Sequence, residues 1–269
     1  MNSNAPHYYL RKEVVKKMNS FISWIGGKKL LRNKILSEFP EKGSFKRYIE
    51  VFGGAGWVLF SSDRHAELEV YNDVNGNLVN LFRCTKYHPE ELQKELGFVL
   101  MSREQFFDAK EQMEIRGLTD IQRAARFYIL IKESFGSCMR TFAVSSKNIK
   151  SAIDYILTVS KRLDTVVIEN QDFERILKTY DKKDALFYLD PPYYEAEKYY
   201  PDRFMQEDHI RLKESLSKVE GKFILSYNDN EYVRKLYKNY NIVEIERMSN
   251  MVKNEQRKPR YRELLIKNY

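Results

Sequence analysis

Cysteine is scarce in this chain of 269 residues: Cys84 and Cys138 are the only two. Two thiols build no disulfide framework, so a reducing compartment is expected and the core must carry the fold. Long apolar runs are missing too, and a stretch such as Phe127 to Ile131 is far too short to span a membrane. The N-terminal residues through Lys17 are polar and charged, without the apolar segment of a signal peptide. No internal repeat period is visible. These absences lead to the expectation of a soluble, cytoplasmic protein, of cellular or phage origin.

What is present suits a globule. Hydrophobic residues make up 43 % and aromatics 14 %, enough at this length to bury a full core. Lysine and arginine number 46 against 38 acids, a net charge of +8. That surplus is compatible with a phosphate-rich partner, although many unrelated proteins are as basic.

The rest of the chain is organised around Ala185-Leu-Phe-Tyr-Leu189, followed by Asp190-Pro191-Pro192-Tyr193. An apolar run that stops at an acid and two prolines reads as a buried parallel strand emptying into a loop, because proline lacks the N–H a strand needs. The loop would hold one carboxylate, one proline carbonyl and one aromatic face side by side. Those groups suit a flat base bearing an exocyclic amine: two acceptors for its hydrogens and a ring to stack on. The plainer explanation is a strand end broken by proline.

Upstream, Trp24-Ile-Gly26-Gly27-Lys28 precedes Leu30, Leu31, Ile35 and Leu36 at helical spacing. Two glycines there let a ligand approach the backbone, and the lysine can reach an anion; taken alone, the stretch reads more simply as a glycine turn with a solvated lysine. Tyr48 to Phe52, including Glu50, reads as a strand, then Gly53-Gly54-Ala55-Gly56 turns into an expected apolar helix from Trp57 to about Ser61. Strand, glycine turn and helix open a doubly wound sheet, with the ligand at the strand's carboxyl end. Asp73 follows the next strand, Leu68 to Tyr71, about 20 residues after the glycine turn, where an acid can grip ribose hydroxyls. A plain N-cap for a helix from Asn75 to Cys84 would also make sense, but together with the glycine turn the ribose role is favoured.

Between 75 and 165 the strand rhythm stops. Helices are expected over Glu90–Leu100 and Ile149–Leu163, and Ser102-x-x-Gln105 and Thr119-x-x-Gln122 are capping boxes opening two more. The loop from Ser134 to Asn148 interleaves Arg140 and Lys147 with aromatics such as Phe142, a composition that suits phosphates and a groove, or an ordinary connection. Strands resume at Thr165–Glu169, followed by Asp172-Phe173. After the central motif come a helix over Asp208–Val219 and strands at Lys222–Asn228, Ile242–Ile245 and Leu264–Ile266. The last two flank a basic stretch containing Arg257, Lys258 and Arg260, read as phosphate-contacting or merely solvated.

In order, the Trp-Ile-Gly-Gly-Lys turn, Glu-Val-Phe-Gly-Gly-Ala-Gly, Asn-Asp, Asp-Phe and Asp-Pro-Pro-Tyr resemble the Dam-like, alpha-group methyltransferases acting on adenine in DNA. The likeness covers most of 21–74 and 164–269. It implies an α/β fold: a Rossmann-like seven-stranded methyltransferase sheet, formed by 1–74 and 166–269, with 75–165 as an inserted helical target-recognition domain. It implies S-adenosylmethionine as cofactor, held by Gly53, Gly54 and Gly56 with Glu50 and Phe52, with Asp73 on its ribose and Asp172 and Phe173 at its adenine. Trp24, Gly26, Gly27 and Lys28 would line that site, and Asp190 would border it. Asp190, Pro191, Pro192 and Tyr193 would receive a flipped adenine, with no metal required. Double-stranded DNA is the implied partner, contacted by Arg140, Phe142, Lys147, Arg257, Lys258 and Arg260, with the enzyme a monomer and any cognate restriction endonuclease acting separately. Members that read GATC carry an arginine and a Phe-Asn-Val-Pro loop where this chain has Met139-Arg140-Thr141-Phe142-Ala143-Val144-Ser145; Arg140 and Phe142 keep part of that character but the rest differs, so the target sequence is not carried over. A cytosine N4 or RNA base-amine methyltransferase, and a silent DNA-binding protein on the same fold, remain as alternatives.

Overall fold

A computed structural model describes residues 18–99, 101–143, 149–195, 204–248 and 260–269. Seven strands form one sheet: β1 (Arg47–Glu50), β2 (Leu68–Asn72), β3 (Val166–Glu169), β4 (Ala185–Leu189), β5 (Lys222–Asn228), β6 (Asn241–Met248) and β7 (Arg260–Lys267), in the order β3-β2-β1-β4-β5-β7-β6. The first five in space run parallel, and β7 runs antiparallel to β5 and β6. The carboxyl ends of β1, β2 and β4 therefore share one edge with the start of β7. The strand read as central is central: all five residues of β4 are buried.

Strand alternation divides the core in two. Tyr48, Tyr71, Leu186, Tyr188 and Leu265 face one cluster, and Ile49, Val70, Phe187, Leu189 and Ile266 face the other. The first face is covered by α2 (Gly76–Tyr87), α5 (Asp120–Glu133) and α6 (Ile149–Leu163), with α3 (Pro89–Gly97) and α4 (Arg103–Gln112) packed outside them. The second face is covered by α7 (Phe173–Tyr180), α8 (Gln206–Leu216) and α9 (Glu231–Leu236). A short α1 (Arg32–Ser37) follows the first glycine turn. Helices α2 to α6 fill the interval between β2 and β3, and all but α4 contribute buried residues to the sheet's own core.

Local signals account for much of this. Thr119 and Gln122 form a reciprocal capping box at α5, and Ser102 accepts the Gln105 N–H at the start of α4. Asn75, not Asp73, caps α2, accepting from the Leu78 N–H at 2.9 Å. The helix expected from Trp57 to Ser61 is only a 3₁₀ turn over Leu59–Ser61. Ser61 folds back on it, N–H and hydroxyl both bonding the Val58 carbonyl, and the short segment has no length to propagate. Arg162 of α6 forks onto both oxygens of Glu69 at 2.8 Å and bonds the Ser62 and Leu59 carbonyls, pinning α6 to β2. Among the described residues no helix is long and apolar enough to cross a membrane.

Candidate active site

The cavity opens at the carboxyl edge, between the ends of β1, β2 and β4, as the crevice rule for parallel sheets requires. Its floor is the glycine turn after β1. Gly53 has no room for a side chain, since a Cβ there would sit 2.2 Å from the Tyr71 ring. That ring is fixed, stacked on Phe82 at 4.0 Å with its hydroxyl donating to the Gly54 carbonyl at 2.7 Å. Gly54 takes φ +50°, and its N–H donates to Asp73 Oδ2 at 2.8 Å. Asp73 Oδ1 accepts from Asn75 N–H at 2.9 Å. The acid at the tip of β2 is thus tied to the glycine turn and borders the cavity.

The central acid meets the lysine of the first glycine turn. Lys28 Nζ lies 2.7 Å from Asp190 Oδ1 and donates to the Gly26 carbonyl at 2.8 Å. The same ammonium stands over the Tyr193 ring, 4.6 Å from its centroid, and is only 6 % exposed. The anion expected for Lys28 is therefore a carboxylate of the protein itself. A primary amine occupies the corner formed by the Asp190 carboxylate and the Tyr193 face.

Glu50 closes the end of β1 on the cavity wall, 2 % exposed. Burial pushes its carboxyl up to about 8, against the opposing effect of the Tyr48 hydroxyl, which donates to Oε2 at 2.8 Å, and of the Leu59 backbone. It is chiefly protonated at neutral pH in the free protein.

Of the other residues singled out in the sequence, Trp24, Gly27, Phe52 and Pro192 line the same cavity. Gly26 and Gly56 shape the two turns with φ +75° and +67°, and Pro191 is buried behind Pro192. Asp172 and Phe173 stand one layer back. Asp172 caps α7 through the Glu174 N–H, and both its oxygens accept from Arg211 at 3.1 and 3.0 Å. Phe173 packs behind Phe52 and Phe204, with the Arg211 guanidinium 4.2 Å from its centroid.

The sequence of the chain matches a known family. The model of the D12 class N6 adenine-specific DNA methyltransferases matches residues 24–251. The chain belongs to this family. Its similar proteins include a Type II methyltransferase of Lactococcus lactis subsp. cremoris, 26 % identical over 94 % of this chain and 96 % of that one. Another is a Type II methyltransferase of Methanocaldococcus jannaschii, 29 % identical over 93 % and 98 %. A DNA adenine methylase of Haemophilus influenzae is 22 % identical over 93 % of each. The protein is an enzyme of adenine-specific DNA methylation, and such a reaction requires a methyl donor.

In this adenine methyltransferase the segment after α5 is a tight loop closed by a bridge between Ser134 and Phe142. The Ser134 hydroxyl accepts from Met139 N–H at 3.0 Å, and Gly136, Ser137 and Met139 all have positive φ. Arg140 is exposed at its tip, whereas Phe142 is half-buried against Phe106 under the Arg103 guanidinium. The aromatic presented to solvent is Phe135, 68 % exposed, which the sequence reading did not single out. Lys147, Arg257 and Lys258 lie outside the described residues, and Arg260 begins β7, paired with Met248 at the active-site edge. Sequence reasoning also missed Trp57 and Phe204 on the cavity wall and Glu263, which accepts the Tyr193 hydroxyl at 2.7 Å.

Proposed function

We propose that this cavity binds S-adenosylmethionine and that an adenine flipped out of double-stranded DNA enters the Asp190–Tyr193 corner to be methylated on N6. The observation that carries this reading is the position of Lys28: an amine already sits where an exocyclic amine would, paired to the carboxylate and over the aromatic face. Lys28 holds the seat in the free enzyme and withdraws when the base enters.

The cavity wall suits the cofactor. The glycine turn borders the cavity with bare backbone, Phe52 and Phe204 offer apolar faces, and Asp73 is an acceptor for hydroxyls. When bound, S-adenosylmethionine supplies an electrophilic methyl group on a sulfonium. The chain's own residues make the base nucleophilic. An adenine amine is weak because its lone pair is delocalised into the ring. Hydrogen bonds from that amine to the Asp190 carboxylate and the Pro191 carbonyl favour a pyramidal nitrogen, and the carboxylate stabilises the positive charge that develops on it. Tyr193 stacks on the extruded ring, recovering part of the few kcal/mol that flipping costs.

DNA contact falls to the insertion at 75–165, through Arg140 and Phe135 of its exposed loop, and to the basic stretch between β6 and β7. The catalytic part comprises 1–74 and 166–269, acting as a monomer, with any cognate endonuclease a separate protein. The test is incubation with unmethylated DNA and labelled S-adenosylmethionine, then sequencing that detects modified bases. N6-methyladenine in one short motif is expected. Absence of incorporation by protein that binds the cofactor, or N4-methylcytosine in the product, refutes the reading.

A further inference from the structure

The tyrosine proposed to seat the base is gripped by a strand remote from it in sequence. Because β7 runs against its neighbours, its first residues reach the edge where β4 and β5 end, and the register there sets Glu263 opposite Asn228. Glu263 is a carboxylate 3 % exposed, in a place where burial of a charge is costly without a partner. Its Oε2 accepts the Tyr193 hydroxyl at 2.7 Å. Its cross-strand mate donates from Nδ2 to the Tyr194 carbonyl at 3.2 Å. One strand pair thus holds two consecutive residues of the segment leaving β4, the first by its side chain and the second by its backbone.

Tyr193 is constrained on a further side. Its ring centroid lies 5.9 Å from that of Tyr227, whose hydroxyl is 2.5 Å from His209 Nδ1 on α8. Burial and the Asp190 and Glu263 carboxylates push the Tyr193 phenol well above its usual range, so it stays a donor throughout working pH. A tyrosine in a loop ordinarily turns about χ1 and χ2. Here the ring is fixed before any base arrives, which is the preorganisation that a stacking platform needs.

We propose that Glu263 is a positioning residue for methyl transfer, holding the Tyr193 ring at the angle that stacks the target adenine while Asn228 fixes the peptide that follows. The inference rests on the reading of Tyr193 as the base seat. Glu263 does not line the cavity; its effect on transfer runs through the tyrosine, so its removal should slow transfer no further once the tyrosine hydroxyl is gone.

The experiment measures single-turnover methyl transfer to DNA carrying the recognition motif, S-adenosylmethionine affinity by calorimetry, and thermal unfolding, for the full chain. Glu263→Met, close in size but unable to accept, is expected to slow transfer by about tenfold or more with cofactor affinity unchanged, since small misplacements near reacting groups cost factors of that order. Glu263→Gln, which still offers an oxygen to the phenol, is expected to recover most of the rate. Tyr193→Phe should reproduce the Glu263→Met defect, and the double variant should be no slower than either single one. An unaltered rate in Glu263→Met, or an equal further loss when it is added to Tyr193→Phe, overturns the inference. Should Glu263→Met fail to fold, Tyr193→Phe removes the same bond from the other side, and wild-type transfer by it overturns the inference alone. Tyr193→Ala separates the two readings: if it too transfers at the wild-type rate, the base-seat reading falls, whereas its loss beside an unimpaired Tyr193→Phe removes only the role of Glu263.

Discussion

Glu50→Gln should make the free enzyme more stable, by an amount that grows with pH. Glu50 is almost fully enclosed, and burial raises its carboxyl from 4.5 to about 8. In the unfolded chain the same group titrates near 4.3, so between these values unfolding releases a proton that the folded protein keeps. The sign follows: the neutral carboxyl costs nothing extra below pH 4, and wild-type stability then falls relative to a non-titrating variant as pH rises, levelling off above 8. The slope is ~1.4 kcal/mol per pH unit, so most of the loss falls between pH 5 and 8, and the plateau is on the order of several kcal/mol. Glutamine retains an oxygen for the Tyr48 hydroxyl, so the bond that orients the residue is kept. Other titrating groups, including the buried Glu133 whose carboxyl burial lifts to about 7, are common to both proteins and cancel in the difference. Urea unfolding at pH 5, 6, 7, 8 and 9 measures that difference directly. A gap that stays flat across the range, or a variant less stable than wild type at pH 8, refutes the account of Glu50 as a buried acid held at energetic cost in the cavity wall. The same substitution is expected to weaken S-adenosylmethionine binding, the usual exchange of stability for function at a site.

Three further outcomes follow from the geometry. Gly53→Ala must displace a Tyr71 ring that is already stacked and hydrogen-bonded, so calorimetry should show cofactor binding lost and thermal unfolding a destabilisation of roughly 1–3 kcal/mol. Phe135→Ala removes an exposed ring and should leave unfolding unchanged while weakening DNA binding by about 1–3 kcal/mol in a fluorescence titration, the usual worth of one stacked base. Arg162→Met removes the cation paired with the buried Glu69 carboxylate and its bonds to the Ser62 and Leu59 carbonyls, so urea unfolding should report a loss of about 3–5 kcal/mol.

The parts of the fold that are written locally could be read from the chain. The limits of β4 are legible because a buried strand shows as an unbroken apolar run and proline must end it. The α5 capping box and the span of α6 are legible for the same kind of reason: each signal and the bonds it makes lie within a few residues. The glycine turn and Asp73 could be placed together because a strand, a tight turn and the next strand tip are adjacent by construction in a doubly wound sheet. What could not be read is any polar pairing between distant segments. Nothing near Lys28 says that its ammonium closes onto Asp190, and nothing near Asp172 says that Arg211 takes its oxygens.

The loop after α5 shows how this limits inference about function. Phe135 and Phe142 are both aromatics in a polar loop bearing a positive charge, and no local property separates them. Phe106 and Arg103, on another helix, decide the matter by covering Phe142, so that of the two only Phe135 is presented to solvent. Glu263 is the sharper case. An acid among Arg260, Arg262 and Lys267 looks like charge balance on a solvated strand, and its place beside Tyr193 depends on β7 inserting backwards between β5 and β6. Reversal of a single strand moves its first residues from the far edge of the sheet to the catalytic one. The chemistry of the site is thus carried by short motifs, while its rigidity is carried by a long-range topological choice that leaves no local trace.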